Sequence, residues 1–521
     1  MKKTYGVCFG MLAMGLAVLG APVSRAQSRM AAGEAASATT ETATPAAVTP
    51  AAATPAASSP SDLDRRIEAL ETELVELKTE LEAKKEAEPV PAVVATPAAQ
   101  DAAKPADKVT VASLFGPTSV SGFIDAYYLW NSDHPVTFGL NTNGNSSTSA
   151  VGACSFDCRG KTISLNMIEL ILDKAPDATA GEAGRIGYHF SVGYGDTQVA
   201  INNAQFLASG PVNPGFAGGG GGPGTLAGFD QYVKEAYLSY LVPVGKGLQV
   251  DVGKFVTPLG AEVIESKDNW NYSRGLLFNY AIPLNHFGAR AKYTFNDKFN
   301  LTGYFVNGFN NVVDNNSGKT YGVSVGWNPT KKNAVTLNYF AGPEMPTGFY
   351  GFTTNADTTL VNVNNFWRQT WDLVYMYNLT SKLTFMANYD YVHGDRLLIP
   401  CECSNPLPLS SPVYFTGGAG YLKYAFNDKN YVAARYEYFY DRDNFTGIGN
   451  GGGSHPQHAH IQEFTATYQR TLASYLLSRF EYRRDMTGDP FFQLSSFNPL
   501  VKQQSTITFS MILLFDSRNA K

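Results

Sequence analysis

The feature of this sequence that most restricts its fold is a long succession of segments, each of about ten residues, in which polar and apolar residues alternate. The succession runs from Val120 to Phe515. Between Tyr321 and Asn328, for example, every second residue is Tyr, Val or Trp, and the residues between them are Gly, Ser or Asn. Successive side chains of a β-strand point to opposite faces, so this pattern predicts strands with one apolar and one polar face.

The connections between these segments alternate in length. Asn296 to Lys298 and Leu379 to Lys382 have the composition of tight turns, whereas Asn131 to Lys161 and Gly195 to Gln231 are long. A soluble β-sandwich would also alternate in polarity, but it gives no reason for alternating loop lengths. We therefore predict an all-β fold, a transmembrane antiparallel β-barrel of about 16 strands with short turns at the periplasmic rim and long loops outside. The strands are expected to start near Val120, Ile163, Gly187, Tyr232, Leu248, Phe287, Phe299, Thr320, Ala334, Phe366, Leu383, Val413, Tyr431, Ile461, Tyr475 and Gln504.

Residues 1–26 have the pattern of a secretory signal peptide. Lys2 and Lys3 are followed by an apolar run from Tyr5 to Leu19, and Ser24 to Ala26 offers small residues at a cleavage site. The run is too short for a membrane-spanning helix, which needs about 20 apolar residues. Only helices and closed barrels satisfy all backbone hydrogen bonds in lipid. Export together with a barrel predicts the outer membrane of a Gram-negative bacterium, with outer-membrane lipid as a partner.

The region between the signal peptide and the predicted barrel at 119–521 is expected to be a tether with one short coiled coil. Segments 27–58 and 89–118 are rich in Ala, Pro and Thr, so we predict disordered linkers. Within 59–88, Leu or Ile recurs at alternating spacings of four and three residues, the a/d repeat of a coiled coil. The repeat spans only about three heptads. It either helps to hold a homo-oligomer together, a trimer included, or forms a solvated helix. An even strand count predicts that this region is periplasmic.

Charge and cysteine content limit the function further. Charged residues are 16% of the chain and the formal net charge is -5, so no basic surface for nucleic acid is expected. Outside the signal peptide the cysteines are Cys154, Cys158, Cys401 and Cys403. In an oxidising compartment we expect them to form disulfides, with three pairings open. Zinc is the alternative, although these spacings are unusual for a structural zinc site. No cofactor is predicted.

Charged residues of the predicted strands fall on the polar face. An Arg at mid-depth on the lipid face costs about 2 to 4 kcal/mol, so these residues are expected to face the lumen. A barrel of this strand number encloses an aqueous channel. The residues would then line a pore, or form a ladder of mutually neutralising charges that stiffens the wall, and both can hold. The predicted pore-wall residues are Arg290, Lys292, Arg368, Asp372, Lys423, Arg435, Glu437, Arg479, Glu481 and Arg483.

One block of the sequence resembles a known porin family. Gly253 to Gly260, followed by Glu262 and later by Pro283 to Gly288, is similar to the OmpL-like β-barrel porins, and the likeness extends over the predicted barrel. The resemblance implies a sixteen-stranded porin fold and passive uptake of small hydrophilic solutes. It also implies that the third long connection, Val256 to His286, folds into the lumen. Carboxylates there, opposite a basic wall, would set charge selectivity. The alternative is a solvated surface loop. The predicted constriction residues are Glu262, Glu265, Lys267, Asp268 and Arg274.

Three further interpretations remain open. His455, His458 and His460 follow a glycine run and either bind a metal weakly or belong to an exposed loop. The long loops contain no G-x-S-x-G motif, so we do not expect an enzyme. The alternative function is a structural one, in which the N-terminal region binds peptidoglycan and links the outer membrane to the cell wall.

Overall fold

We describe the fold from a computed structural model of the chain. The predicted signal peptide, first linker and coiled coil, and the four predicted disulfide cysteines, lie outside the described residues. Among the helices within those residues, none has the length and apolar character that crossing a membrane would require. The structure describes residues 116, 118–133, 156–157, 159–209, 231–344, 363–394, 413–443, 459–493 and 500–519.

Sixteen strands of the described chain form a closed antiparallel barrel. Each pairs with its neighbours in sequence, and the first pairs with the last through the register Ser121 to Asp516. The barrel strands are β1 (Ser119–Asn131), β2 (Ile163–Lys174), β3 (Ile186–Tyr194), β4 (Val233–Val242), β5 (Leu248–Val256), β6 (Asn285–Asn296), β7 (Phe299–Val306), β8 (Thr320–Thr330), β9 (Asn333–Pro343), β10 (Trp367–Asn378), β11 (Leu383–Gly394), β12 (Val413–Asn427), β13 (Asn430–Asp441), β14 (Ala459–Ala473), β15 (Leu476–Thr487) and β18 (Gln503–Asp516).

Short elements occupy the connections. Two strands form a separate hairpin in the last loop, and the described residues also contain three short α-helices. The helix α1 lies in the turn between β2 and β3, and the other two lie in the second and third long loops. These elements are β16 (Phe492–Gln493), β17 (Leu500–Val501), α1 (Gly181–Gly184), α2 (Asp196–Ser209) and α3 (Leu276–Tyr280), with 3-10 turns at Ala178–Ala180, Ser266–Asp268, Val363–Asn365 and Ser517–Asn519.

The predicted strand number and strand positions are confirmed. The largest displacements of a predicted start are at Phe287, where the strand begins at Asn285, and at Ile461, where it begins at Ala459. Period-two alternation located the strands well because each strand of a barrel has one face toward lipid and one toward the interior. The small hairpin in the last loop was not predicted.

Burial separates the two faces as the alternation predicts. On β13, Tyr436 and Tyr438 are 48% and 42% exposed, whereas Arg435 and Glu437, which alternate with them, are 1% and 0% exposed. Aromatic and β-branched side chains suit a pleated surface and here form the outer face. The inner face of β13 is therefore the one that carries the charges.

The largest apolar cluster lies inside the barrel. Leu277 and Phe278 of α3 belong to it, together with the inward-facing Phe340, Phe415 and Phe439 of β9, β12 and β13. A sixteen-stranded barrel leaves an interior too wide for its own side chains to fill. Loop residues fill the interior around α3. Full burial of a Leu or Phe side chain contributes about 1.5 to 3 kcal/mol to the stability of the fold.

Candidate functional site in the barrel lumen

The third loop, residues 257–284, leaves the wall between β5 and β6 through a closed neck. The backbone N–H of Thr257 donates to the carbonyl oxygen of Leu284 at 3.1 Å. Just before the neck, Gly253 has a φ of 141°, and a Cβ there would lie 2.2 Å from the carbonyl oxygen of Ala236. Only glycine combines this conformation with so close an approach. The pairing of β4 with β5 therefore requires the glycine that begins the porin-like block.

A buried histidine anchors this neck to the wall. His286 is fully buried, and its Nδ1 lies 3.0 Å from the carbonyl oxygen of Gly308. Its Nε2 lies 3.2 Å from Thr257 Oγ1, and its ring stacks on Phe340 of β9 with a centroid distance of 5.1 Å. His286 is thus fixed at both ring nitrogens and on one face of its ring, and it holds the neck in place.

From the neck the loop extends to the opposite wall of the barrel, where it contacts Arg435 of β13. Arg435 Nη1 lies 2.6 Å from Glu262 Oε1, and its Nε lies 2.7 Å from Glu463 Oε1. Arg435 also donates to the carbonyl oxygen of Ser273 at 2.6 Å. Glu262 accepts a further bond from the N–H of Gly275 at 2.6 Å. Glu262 is therefore a buried, fully engaged carboxylate, and hydrogen bonds between charged groups are the strong ones.

A second wall carboxylate holds the backbone at the start of α3. The N–H of Leu276 donates to Glu437 of β13. A Cβ on Gly275 would lie 2.3 Å from Glu437 Oε1, so a side chain at position 275 would push this carboxylate away from the start of α3. Glu437 therefore fixes where α3 begins.

A third group of contacts comes from β15. Glu481 accepts bonds from the backbone N–H groups of Tyr272 and Ser273 at 2.5 and 2.9 Å. Arg483 donates to the carbonyl oxygen of Arg274 at 2.7 Å. The predicted wall residues Glu437, Glu481 and Arg483 thus bind the backbone of the third loop.

Two basic residues at the same wall carry charge without an acidic partner. Arg479 of β15 donates to the carbonyl oxygens of Lys267 and Asn269 at 3.1 and 2.9 Å. The ammonium of Lys423 lies 4.7 Å from the ring centroid of Trp270, at the distance of a cation–π contact. Neither side chain forms an ion pair with any residue that the structure describes. They leave positive charge beside the middle of the third loop.

Of the other predicted constriction residues, some are buried in ion pairs and some are exposed to solvent. Glu265 pairs with Lys234 of β4, whose ammonium also lies 2.6 Å from Glu169 Oε1. Lys267 and Asp268 pair with each other at 2.6 Å, and 53% of the Asp268 side chain is exposed. Asp268 is therefore the predicted constriction carboxylate that meets water.

The first and second loops also enter the lumen, and nothing in the sequence pattern predicted this. The guanidinium of Arg274 lies 4.9 Å from the ring centroid of Phe156 in the first loop and 3.4 Å from Thr197 Oγ1 of α2 in the second. Phe156 also packs on Phe278 of α3 with centroids 5.4 Å apart. Three loops therefore share one packed interior, and Arg274 is buried at their junction.

Two buried acids of this interior were also missed. Asp125 of β1 accepts bonds from Tyr272 Oη at 3.0 Å and Asn166 Nδ2 at 2.7 Å. In the first loop, burial raises the pKa of Asp157 to about 6, and the nearby Arg274 opposes the shift. Asp125 was missed because its neighbours on the inner face of β1 are aromatic and aliphatic, so polarity does not alternate there.

Arg290 and Lys292 of β6 lie apart from the contacts with Arg435. Arg290 pairs with Asp251 at 2.7 Å, and its guanidinium lies 4.9 and 4.6 Å from the ring centroids of Tyr237 and Phe255. Lys292 is exposed. These two residues belong to the wall of β4 to β6, which the start of the third loop leaves.

Arg368 and Asp372 lie on β10, and both side chains are buried. The guanidinium of Arg368 is 5.8 Å from the ring centroid of Phe309. Asp372 accepts bonds from Asn338 Nδ2 at 2.7 Å and Asn388 Nδ2 at 2.8 Å. The predicted wall residues thus form several separate contact groups and not one continuous ladder.

Of the histidines singled out in the sequence, the structure describes one. His460 lies on β14, with its ring stacked on Tyr438 at a centroid distance of 6.2 Å, and His455 and His458 lie outside the described residues. Over the described ranges, no three His, Cys, Asp or Glu side chains are grouped as ligands for a metal.

Several solved outer-membrane proteins are similar to this chain. The chain resembles OmpT expressed in the outer membrane of Vibrio cholerae, at 12% identity over 76% of this chain and 97% of that chain, with a TM-score of 0.44. It resembles the outer membrane channel DcaP of Acinetobacter baumannii at 10% identity over 76% and 97%, with a TM-score of 0.43. It also resembles an anion-selective porin from Comamonas acidovorans at 10% identity over 76% and 98%, with a TM-score of 0.41.

No curated protein matches the chain. A family model does match, over residues 117–515, and its description is "Putative beta-barrel porin-2, OmpL-like". The match covers all but the last residue of the barrel, and it agrees with the block around Gly253 and with the closed barrel of sixteen strands. The chain therefore belongs to the OmpL-like family of β-barrel porins.

Proposed function

We propose that this porin forms a channel in the outer membrane through which small hydrophilic solutes pass by passive diffusion, and that the third loop is its constriction. The observation that supports this most is the position of the loop. It leaves the wall at β5 and β6 and binds Arg435 and Glu437 on β13, so it crosses the interior of the barrel. A solute passing through the barrel has to pass beside it.

The exposed charges near the loop would set ionic preference. Asp268 is half-exposed, and Glu262 and Glu265 carry negative charge in paired form. Lys423 and Arg479 carry positive charge without an acidic partner. Charges act strongly on permeating ions where water is scarce and screening is incomplete. Replacing the three acids by their amides should therefore shift selectivity toward anions.

Planar-bilayer recording of reversal potentials tests this proposal. Asp268→Asn is the sharpest variant because it removes an exposed charge without breaking a buried pair. Asp443→Asn is the matched control, since Asp443 lies at the start of the seventh loop and pairs with Arg442. Deletion of Glu262 to Leu277 should raise conductance because it removes the obstruction. Unchanged selectivity and conductance would reject the constriction, and an intact protein that does not conduct would reject the channel.

We further propose that the N-terminal region is periplasmic and that its coiled coil supports a homo-oligomer. The first and last barrel strands pair near Ser121 and Asp516, at the rim where the turns are short. In outer-membrane barrels the short turns are periplasmic. A coiled coil of about three heptads is too short to hold subunits alone, so barrel contacts would share the task.

A structural tether is the second candidate. The same rim would place residues 27–118 where peptidoglycan lies, and the two functions do not exclude each other. Incubation of the full-length protein and of a variant without residues 27–118 with isolated peptidoglycan separates them. Sedimentation of both proteins, or of neither, would argue against the tether.

A further inference from the structure

Two carboxylates face each other inside the barrel, and neither forms an ion pair with a residue that the structure describes. Asp372 of β10 and Asp390 of β11 are direct partners in the strand register, and both are fully buried. Residues opposed in this way have Cβ atoms about 4.5 to 5.5 Å apart. The charges that act most strongly on Asp390 are the carboxylates of Asp372 and Glu437. Burial of like charges this close is very unfavourable unless something positive compensates them.

Four side-chain oxygens at this pair have no donor among the described residues. Both carboxylate oxygens of Asp390 are buried and lack a hydrogen-bond partner among the described residues. The same is true of Thr370 Oγ1 and Asn338 Oδ1, on residues that are themselves fully buried. Thr370 lies two positions before Asp372 on the inner face of β10, and Asn338 is opposite Asp372 on β9. Buried polar atoms are nearly always partnered, so these four oxygens indicate an additional bound species.

We propose that a hard divalent cation, calcium, binds between Asp372 and Asp390, with the side-chain oxygens of Asn338 and Thr370 as neutral ligands. The donor set contains only oxygen, which favours calcium, magnesium and manganese over softer metals. Calcium accepts carboxylate and amide oxygens in irregular arrangements, whereas magnesium demands a near-ideal octahedron. Asp372 already accepts hydrogen bonds from the side-chain amides of Asn338 and Asn388 and from the backbone of Gly260. A carboxylate has about four acceptor positions, so one remains for a metal.

The cation would act on the third loop through its neighbours. Asn338 Nδ2 donates to the carbonyl oxygen of Pro258 at 3.0 Å, and the N–H of Ala261 donates to Asn388 Oδ1 at 3.0 Å. Both asparagines also donate to Asp372. A metal that fixes Asp372 would therefore fix the first turn of the third loop, and its removal should loosen that turn.

Calcium binding to the purified, folded barrel tests the site directly. Protein stripped with a chelator in detergent would be titrated with calcium chloride by calorimetry, and thermal unfolding would be followed with and without the metal. We expect binding and an increase in the unfolding temperature. Asp390→Asn should weaken the affinity by roughly tenfold or more, because the number of ligand charges tunes calcium affinity. Asp443→Asn, outside the barrel wall, should bind as the unchanged protein does.

The alternative chemistry is a single proton shared by the two carboxyl groups. In that case the unchanged protein would show no calcium binding and no thermal shift, and the proposal would be overturned. Equal binding by Asp390→Asn would overturn it as well, because the metal would then lie elsewhere. Should Asp390→Asn not fold, Thr370→Val keeps both charges and removes one ligand. Its affinity should fall severalfold, and an unchanged affinity would count against the site.

Discussion

Replacement of Arg435 by leucine should release the third loop from the wall. The Arg435 guanidinium is buried and joins Glu262 of the loop to Glu463 of β14. It also binds the carbonyl oxygen of Ser273, so one side chain holds two separate stretches of the loop. Leucine removes the charge and every donor, and it leaves both carboxylates without their main cation.

The expected magnitude follows from the burial of these groups. Breaking a buried ion pair by removing one partner costs about 3 to 5 kcal/mol, because the remaining charge stays buried and unpaired. Each 1.4 kcal/mol changes an equilibrium about tenfold, so the ratio of docked to released loop should fall by roughly a hundredfold or more. The apolar contacts of α3 remain and oppose this release. The backbone pairing of β13 with β12 and β14 does not depend on the Arg435 side chain, so the barrel wall itself should stay folded.

Single-channel recording combined with thermal unfolding measures this effect. Arg435→Leu should show larger or flickering conductance and a lower unfolding temperature. Arg470→Leu is the control, because it removes the same charge from an exposed position on β14. If Arg435→Leu conducts and unfolds like Arg470→Leu, the buried contacts do not hold the loop, and the reasoning is refuted.

Three further predictions test the faces, the first loop and the N-terminal region. Val325→Arg should reduce assembly, since an Arg at mid-depth on the lipid face costs about 2 to 4 kcal/mol, whereas Ser324→Arg should assemble; the yield of folded, heat-modifiable protein on gels compares them. Because burial raises the pKa of Asp157 to about 6, its contribution to stability is lost as pH rises from about 4 to about 6. Asp157→Asn should therefore unfold at a higher temperature than the unchanged protein at pH above about 6, and this difference should vanish below about pH 4. Deletion of residues 59–88 should leave conductance per barrel unchanged and lower the temperature at which the oligomer dissociates on gels; a changed conductance would contradict the periplasmic placement.

The strands could be predicted from the sequence because lipid imposes one polarity on every outer face. Where the inner face of a strand carries charged side chains, as on β13, polar and apolar residues alternate clearly along the strand. On β1 the inner positions include Phe123, Tyr127 and Leu129, which pack against loops, so the alternation disappears and Asp125 among them was overlooked. The alternation pattern therefore fails on strands whose inner face packs against loops inside the lumen.

The partners of the site residues could not be predicted for a different reason. The likeness to a porin family identified the third loop and Glu262, but the contact of Glu262 with Arg435 joins positions 173 residues apart in the sequence. No local periodicity encodes a pairing at that separation. The same holds for Phe156 and Thr197, which enter the lumen from loops without a repeating pattern.

The packed interior determines how the position of the third loop responds to salt concentration. Exposed ion pairs weaken as dissolved salt shortens the Debye length, which is about 8 Å at physiological ionic strength. Burial of apolar surface does not weaken in this way, and salts excluded from the protein surface strengthen it. The third loop is held by both kinds of contact, with Phe278 of α3 in the apolar cluster and Arg435 at a buried ion pair. The third loop should therefore stay docked in the barrel at both low and high salt concentrations.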